Sequence, residues 1–159
     1  MNCETMAIFE KKESFMKQIT IYLNGENHQD AYELSKQFVE KFTNEMIAHF
    51  LLAKSAFRVG KYDETAIEGR KAFNLSNSPY DALASALVTA TGYYQLEEYN
   101  KGYEILKSME QAGKSEDLQF LLFMFSLARK DTKEAAKHGA ELYVMNRRAT
   151  EDLIGRLQA

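Results

Sequence analysis

The sequence predicts an all-α fold: a right-handed solenoid of about four helix pairs with a C-terminal capping helix. A similar pattern recurs at residues 25–34, 60–68, 96–105 and 129–136. The equivalent positions are then His28, Tyr62, Tyr99 and Thr132, which are separated by 34, 37 and 33 residues. A period of this length is typical of stacked helical repeats. The chain has one Pro in 159 residues, which favours long uninterrupted helices because Pro breaks helix interiors.

Apolar residues at three- and four-residue spacing predict eight helices in four pairs and a ninth beyond them. With their capping residues, these helices cover about residues 4–24, 28–42, 43–59, 63–75, 79–96, 98–112, 115–129, 131–146 and 150–157. Local signals mark the boundaries. Gly25, Gly60 and Gly113 end helices. Pro79 suits a first helical turn. The predicted N-terminal caps are residues 43–45, Asp63, residues 115–117, and Asp131 or Thr132.

The domain organisation predicted from this pattern is a single domain over residues 1–159. Its units are approximately residues 12–44, 45–78, 79–114 and 115–148, and the terminal helix covers residues 150–157. Leu153, Ile154 and Leu157 share one face of that helix, so we expect them to cover the last unit. No linker or low-complexity segment divides the chain.

The repeat resembles the tetratricopeptide repeat family, a helix-turn-helix unit of 34 residues. The residues that carry the resemblance are Gly60 and Tyr62 at the turn, Ala53, Ala56 and Ala72 around it, and Ala90, Tyr93, Tyr99 and Gly102 in the next unit. The resemblance extends over about four units, from Lys12 to Asn146, although the chain has no Trp. It implies that Tyr62 and Tyr99 are structural and pack at equivalent positions between helix pairs.

The resemblance also implies a concave groove lined by the first helix of each pair. Transferring the family's register predicts these groove residues: Ile47, Phe50, Lys54, Phe57, Arg58, Leu87, Tyr94, Phe120 and Met124. The face is mainly apolar and aromatic, with two cations near its middle. Such a surface exceeds what a lone soluble monomer usually exposes, so an occupant is expected.

The function expected from the groove is that of a non-enzymatic protein-binding module. As an adaptor or chaperone, it would hold an apolar peptide or helical segment, and a segment with an acidic residue would suit Lys54 and Arg58. Two alternatives remain open. The chain could be a self-assembling scaffold, with its groove filled by another copy in a homodimer or by its own terminal helix, or it could carry a small ligand or lipid.

Composition argues against other classes of function. The net charge is −3 and no basic stripe is present, so nucleic-acid binding is not expected. The longest apolar run, residues 120–125, is too short to cross a membrane. The N-terminal residues lack a signal-peptide pattern and Cys3 is the only cysteine, so a cytoplasmic location is expected.

No catalytic, cofactor-binding or metal-binding residues are predicted. His28, His49 and His138 fall in separate repeats, and we expect them to have no carboxylate or Cys partner. No Gly-x-Gly phosphate loop occurs. Gly69 and Gly139 stand singly inside helices, where we expect them to permit close helix approach.

Overall fold

A computed structural model describes residues 3–113 and 115–158. Over these residues the chain forms nine α-helices and one short 3₁₀ turn, with no strand, which confirms the all-α prediction. The helices are α1 (Cys3–Asn24), α2 (His28–Lys41), α3 (Met46–Arg58), α4 (Tyr62–Leu75), α5 (Pro79–Gln95), α6 (Tyr99–Lys107), α7 (Glu116–Ala128), α8 (Thr132–Met145) and α9 (Arg147–Gln158).

The helices pack in the order in which they follow one another along the chain. Each helix contacts the next, and the first helices of successive pairs also touch: α1 with α3, α3 with α5, and α5 with α7. This packing is consistent with a helical repeat, in which each pair is stabilised by its neighbours. Among the described residues, no helix combines the length and apolar character needed to cross a lipid bilayer.

Three of the four pairs bend through the same main-chain turn. In each turn one residue has a left-handed conformation: Gly60 with φ of 78°, Glu97 with 58° and Lys130 with 59°. In each turn the following N–H donates to the carbonyl five residues earlier, at 2.9 Å in all three. This is the hydrogen-bond pattern of a Schellman motif, which satisfies carbonyls at a helix end.

The helix starts are partly as predicted. Ser115 and Asp131 each accept a hydrogen bond from the N–H three residues later, which confirms these two predicted N-terminal caps. Ser78, which was not predicted as a cap, accepts the same kind of bond. The predicted cap at Asp63 is wrong, because α4 already begins at Tyr62 and follows the main-chain turn directly. The start of α3, after Glu45, likewise has no side-chain cap.

Two predicted elements differ from those observed. The sixth helix ends at Lys107 instead of near residue 112, and a 3₁₀ turn over Glu110–Ala112 follows it. The Ser108 hydroxyl donates to the Ile105 carbonyl there, which accompanies the helix end. The terminal helix begins at Arg147 instead of at residue 150, and it packs against α8.

The expected cover of the last pair by α9 is only partly observed. Thr150 is buried and Leu153 half-buried, whereas Ile154 and Leu157 are exposed. The prediction that all three apolar residues of α9 cover the last unit is therefore wrong for Ile154 and Leu157.

Glycines allow the closest helix contacts. A Cβ atom at Gly102 would lie 2.2 Å from Phe125 Cε1, and one at Gly69 would lie 2.4 Å from Thr89 Oγ1. Both sites are buried. The expected role of Gly69 is confirmed. Gly102 lets the fully buried Phe125 ring lie directly against α6.

Candidate binding groove

A cavity of about 200 Å³ opens on the face of the first helices. It is lined by Phe57 of α3, by Thr91, Tyr94 and Gln95 of α5, and by Phe120, Leu121 and Met124 of α7. We call it the aromatic cavity. Four of the nine predicted groove residues, Phe57, Tyr94, Phe120 and Met124, therefore come together from three successive helix pairs.

Aromatic residues at the turns support the walls of this cavity. Phe57 packs against Tyr62 and Tyr94 against Tyr99, each with ring centres 5.5 Å apart. These two contacts occupy equivalent positions in the second and third pairs. Tyr94 also meets the edge of the buried Phe125 ring at 5.3 Å. Tyr62 and Tyr99 thus buttress the side chains that line the cavity.

The other predicted groove residues lie outside the aromatic cavity. Ile47 and Phe50 are half-buried against a core cluster that contains Ile19 and Phe38, and Leu87 packs against the cluster around Phe125. These three side chains therefore also contribute to the core. Their spacing in the sequence does not reveal how much of each is covered.

The two predicted cations of the groove are exposed on α3. Lys54 lies 5.5 Å from the ring centre of Phe50, and Arg58 directly follows Phe57. Among the described residues, neither is ion-paired with a carboxylate. The second half of α3 therefore presents positive charge beside the aromatic cavity.

Carboxylates are confined to one end of the first helices near the cavity. α3 contains no acidic residue, α5 has only Asp81, and α7 has only Glu116 and Asp117, all in first turns. Phe120 and Leu127 of α7 are exposed.

A second cavity of about 360 Å³ lies between α7, α8 and α9. Its lining residues are Glu116, Asp117, Phe120, Leu142, Asp152, Leu153 and Arg156. Phe120 lines both cavities, so the two adjoin, although four of the seven residues that line the second cavity are charged. No described side chain of α9 lines the aromatic cavity.

Buried polar pairs join the two helices of the second and fourth units. His49 Nδ1 lies 2.5 Å from Glu68 Oε2, and His138 Nδ1 lies 2.9 Å from Gln119 Oε1. In both pairs the partners are 19 residues apart and occupy equivalent positions of the repeat. The first-helix member immediately precedes a predicted groove residue, Phe50 or Phe120.

Sequence reasoning missed these partners because they lie on the neighbouring helix. His49 also donates from Nε2 to the Thr43 carbonyl at 2.8 Å, since a carbonyl can only accept. Lys71 donates to Glu68 at 2.7 Å from the exposed side. Among the described residues, no cluster of three or more His, Cys, Asp or Glu could hold a metal ion.

His138 faces several ionisable groups where the third and fourth pairs meet. Its Nε2 lies 3.4 Å from Glu134 Oε2 and 3.5 Å from the Tyr103 hydroxyl. Tyr103 and Lys107 both donate to Glu134, at 2.7 and 3.3 Å. These hydrogen bonds lower the pKa of the Glu134 carboxyl to about 2.

Burial lowers the pKa of His138 below its ordinary value of 6.5. Glu110, with an oxygen 3.7 Å from Nδ1, and Glu134 oppose this shift in pKa, whereas Lys107 and Lys137 reinforce it. Folding therefore favours the neutral imidazole, with Nδ1 donating to Gln119.

Protonation of His138 is expected to make stability fall as the pH drops below 6.5. The unfolded chain takes up a proton there before the folded chain does, so acid favours unfolding. Urea unfolding across this range should show a steeper loss for the wild-type chain than for His138→Gln. Glu110 and Glu134 have lowered pKa values, so their protonation reduces stability only below pH 4.5. The pH range in which they act is therefore separate from that of His138. If stability changed equally with pH above 4.5 in the wild-type chain and in His138→Gln, His138 would not be the group responsible.

No protein-family model and no curated protein matches this chain. Its fold and groove define it at the level of class, as a helical-repeat-like protein with an aromatic cavity on the face of its first helices.

Proposed function

We propose that this chain is a non-enzymatic protein-binding module of the tetratricopeptide type. As an adaptor or chaperone, it holds an apolar peptide or helical segment along the face of its first helices. The supporting observation is the aromatic cavity, in which Phe57, Tyr94, Phe120 and Met124 converge from three helix pairs.

The size of the cavity favours a protein segment over a small ligand. Its volume of about 200 Å³ lies below the roughly 300–1,000 Å³ of pockets that enclose drug-sized molecules. It suits one large apolar side chain, while the exposed Phe120 and Leu127 continue the apolar face beyond it. An amphipathic helix offers such anchors at three- and four-residue spacing.

The charges beside the cavity favour an acidic flank on the partner. Lys54 and Arg58 are one helical turn apart, so both can face a carboxylate that lies next to the anchoring side chain. Because both cations are solvent-exposed, their contribution is expected to weaken with added salt. The preferred segment therefore has an apolar anchor followed by Asp or Glu.

A defined peptide panel tests this function. The probes are labelled amphipathic helical peptides with Leu and Phe anchors, flanked either by Glu or by Lys, and binding is read by fluorescence anisotropy. The Glu-flanked peptide should bind more tightly. Phe57→Ser with Phe120→Ser should weaken it roughly 30-fold, because each aromatic is an anchor of the type that dominates interfaces.

The matched control replaces exposed apolar residues away from the aromatic cavity. Ile67→Ser with Val144→Ser should leave the affinity unchanged, since both side chains are exposed on second helices. Circular dichroism checks that both double variants remain helical. Equal loss of affinity in the two double variants would contradict the groove, as would a panel in which no peptide binds.

A further inference from the structure

The start of α1 protrudes from the repeat. α1 has 22 residues, whereas the other first helices have 13, 17 and 13. Residues 4–11 are all exposed, and contact with the body begins where Lys12 pairs with Glu45 and Phe15 stacks on Phe38. At 1.5 Å per residue, residues 4–11 extend about 12 Å.

This protruding segment carries exposed apolar side chains. Met6 is 47% exposed and Phe9 51% exposed. They are three residues apart, so they lie on one side of the helix, and Glu10 and Glu13 follow within one turn. One side of the segment thus presents two apolar anchors with an acidic flank.

Those features match the partner that the groove is proposed to accept. Met6 and Phe9 suit the aromatic cavity, and Glu10 and Glu13 suit the cations Lys54 and Arg58. The segment cannot reach the groove of its own chain by folding back, because α1 is one continuous helix through Asn24. A second copy of the chain has no such restriction.

We propose that the first turns of α1 of one copy occupy the aromatic cavity of a second copy, with Glu10 and Glu13 facing Lys54 and Arg58. This inference rests on the proposed function, since it uses the same groove. Reciprocal exchange between two copies closes a symmetric dimer in which both grooves are filled. A client segment must then displace α1, so self-association and client binding compete.

Sedimentation equilibrium over a wide concentration range tests the exchange in the full chain. The wild-type chain should show a mass that rises toward that of a dimer. Met6→Ser with Phe9→Ser should weaken dimerisation at least about tenfold, since both anchors are lost. Ile8→Ser is the matched control. Ile8 is 59% exposed, but it lies on the same side of α1 as Lys12 and Phe15 and not on that of Met6 and Phe9, so dimerisation should be unchanged.

Charge reversal identifies the occupant of the groove. Lys54→Glu with Arg58→Glu should abolish dimerisation, as should Glu10→Lys with Glu13→Lys. A chain carrying all four changes should dimerise again, because opposite charges then face each other once more. A wild-type chain that stays monomeric, or a four-change chain that does not recover, would overturn the proposal. Binding of the Glu-flanked peptide by Met6→Ser/Phe9→Ser shows separately whether the groove functions.

Discussion

Replacing Phe125 with Ala is expected to lower the free energy of unfolding by about 3–5 kcal/mol, the usual cost of removing a buried Phe ring. Phe125 is fully buried and meets the rings of Tyr94 and Tyr99 edge-on, at 5.3 and 6.4 Å. Its loss should also loosen Tyr94, which lines the aromatic cavity. Urea unfolding followed by circular dichroism measures the change.

Phe120→Ala on the same helix is the matched control, because that ring is 38% exposed and should cost far less. Gly102→Ala tests the contact from the other side, since its new Cβ would lie 2.2 Å from the Phe125 ring. We expect that clash to cost about 1–3 kcal/mol and to be relieved by Phe125→Leu. If Phe125→Ala and Phe120→Ala cost the same, the assigned packing is wrong.

Glu68→Ala is expected to destabilise the chain by about 1–3 kcal/mol, because it leaves a buried hydrogen-bonding group of His49 unsatisfied. The His49 ring is buried, with Nε2 donating to the Thr43 carbonyl and Nδ1 facing Glu68. Without the carboxylate, Nδ1 is left without a partner in the interior. The measurement is again equilibrium unfolding in urea.

Two comparisons separate the buried pair from its exposed neighbour. Lys71→Ala removes only the solvent-facing cation and should cost about 1 kcal/mol or less. Glu68→Leu with His49→Leu removes both polar groups together and should be much closer to the wild-type chain than Glu68→Ala is. Additive losses in that double variant would show that the two side chains do not act as a pair.

Local signals in the sequence predicted most of the helix starts correctly. Ser115 and Asp131 are caps because each bonds an N–H only three residues away. Asp63 fails as a cap because the preceding main-chain turn already starts α4 at Tyr62. The early end of α6 at Lys107 is coupled to tertiary contacts, because Lys107 pairs with Glu134 of α8.

The candidate groove was predictable where the repeat is regular. Phe57, Tyr94, Phe120 and Met124 meet because they recur on the same side of successive first helices. The buried pairs of His49 and His138 depend on partners 19 residues away on another helix. Only the recurrence of that spacing in two units could have pointed to them.

Three different residue types, at Gly60, Glu97 and Lys130, occupy the same left-handed bend. A residue with a Cβ costs roughly 1–2 kcal/mol in that conformation, yet the bend persists in all three pairs. The main-chain hydrogen bond that closes it, 2.9 Å in each case, does not depend on which side chain is present. The helical hairpin can therefore form at a turn that lacks the Gly by which such turns are usually recognised in a sequence.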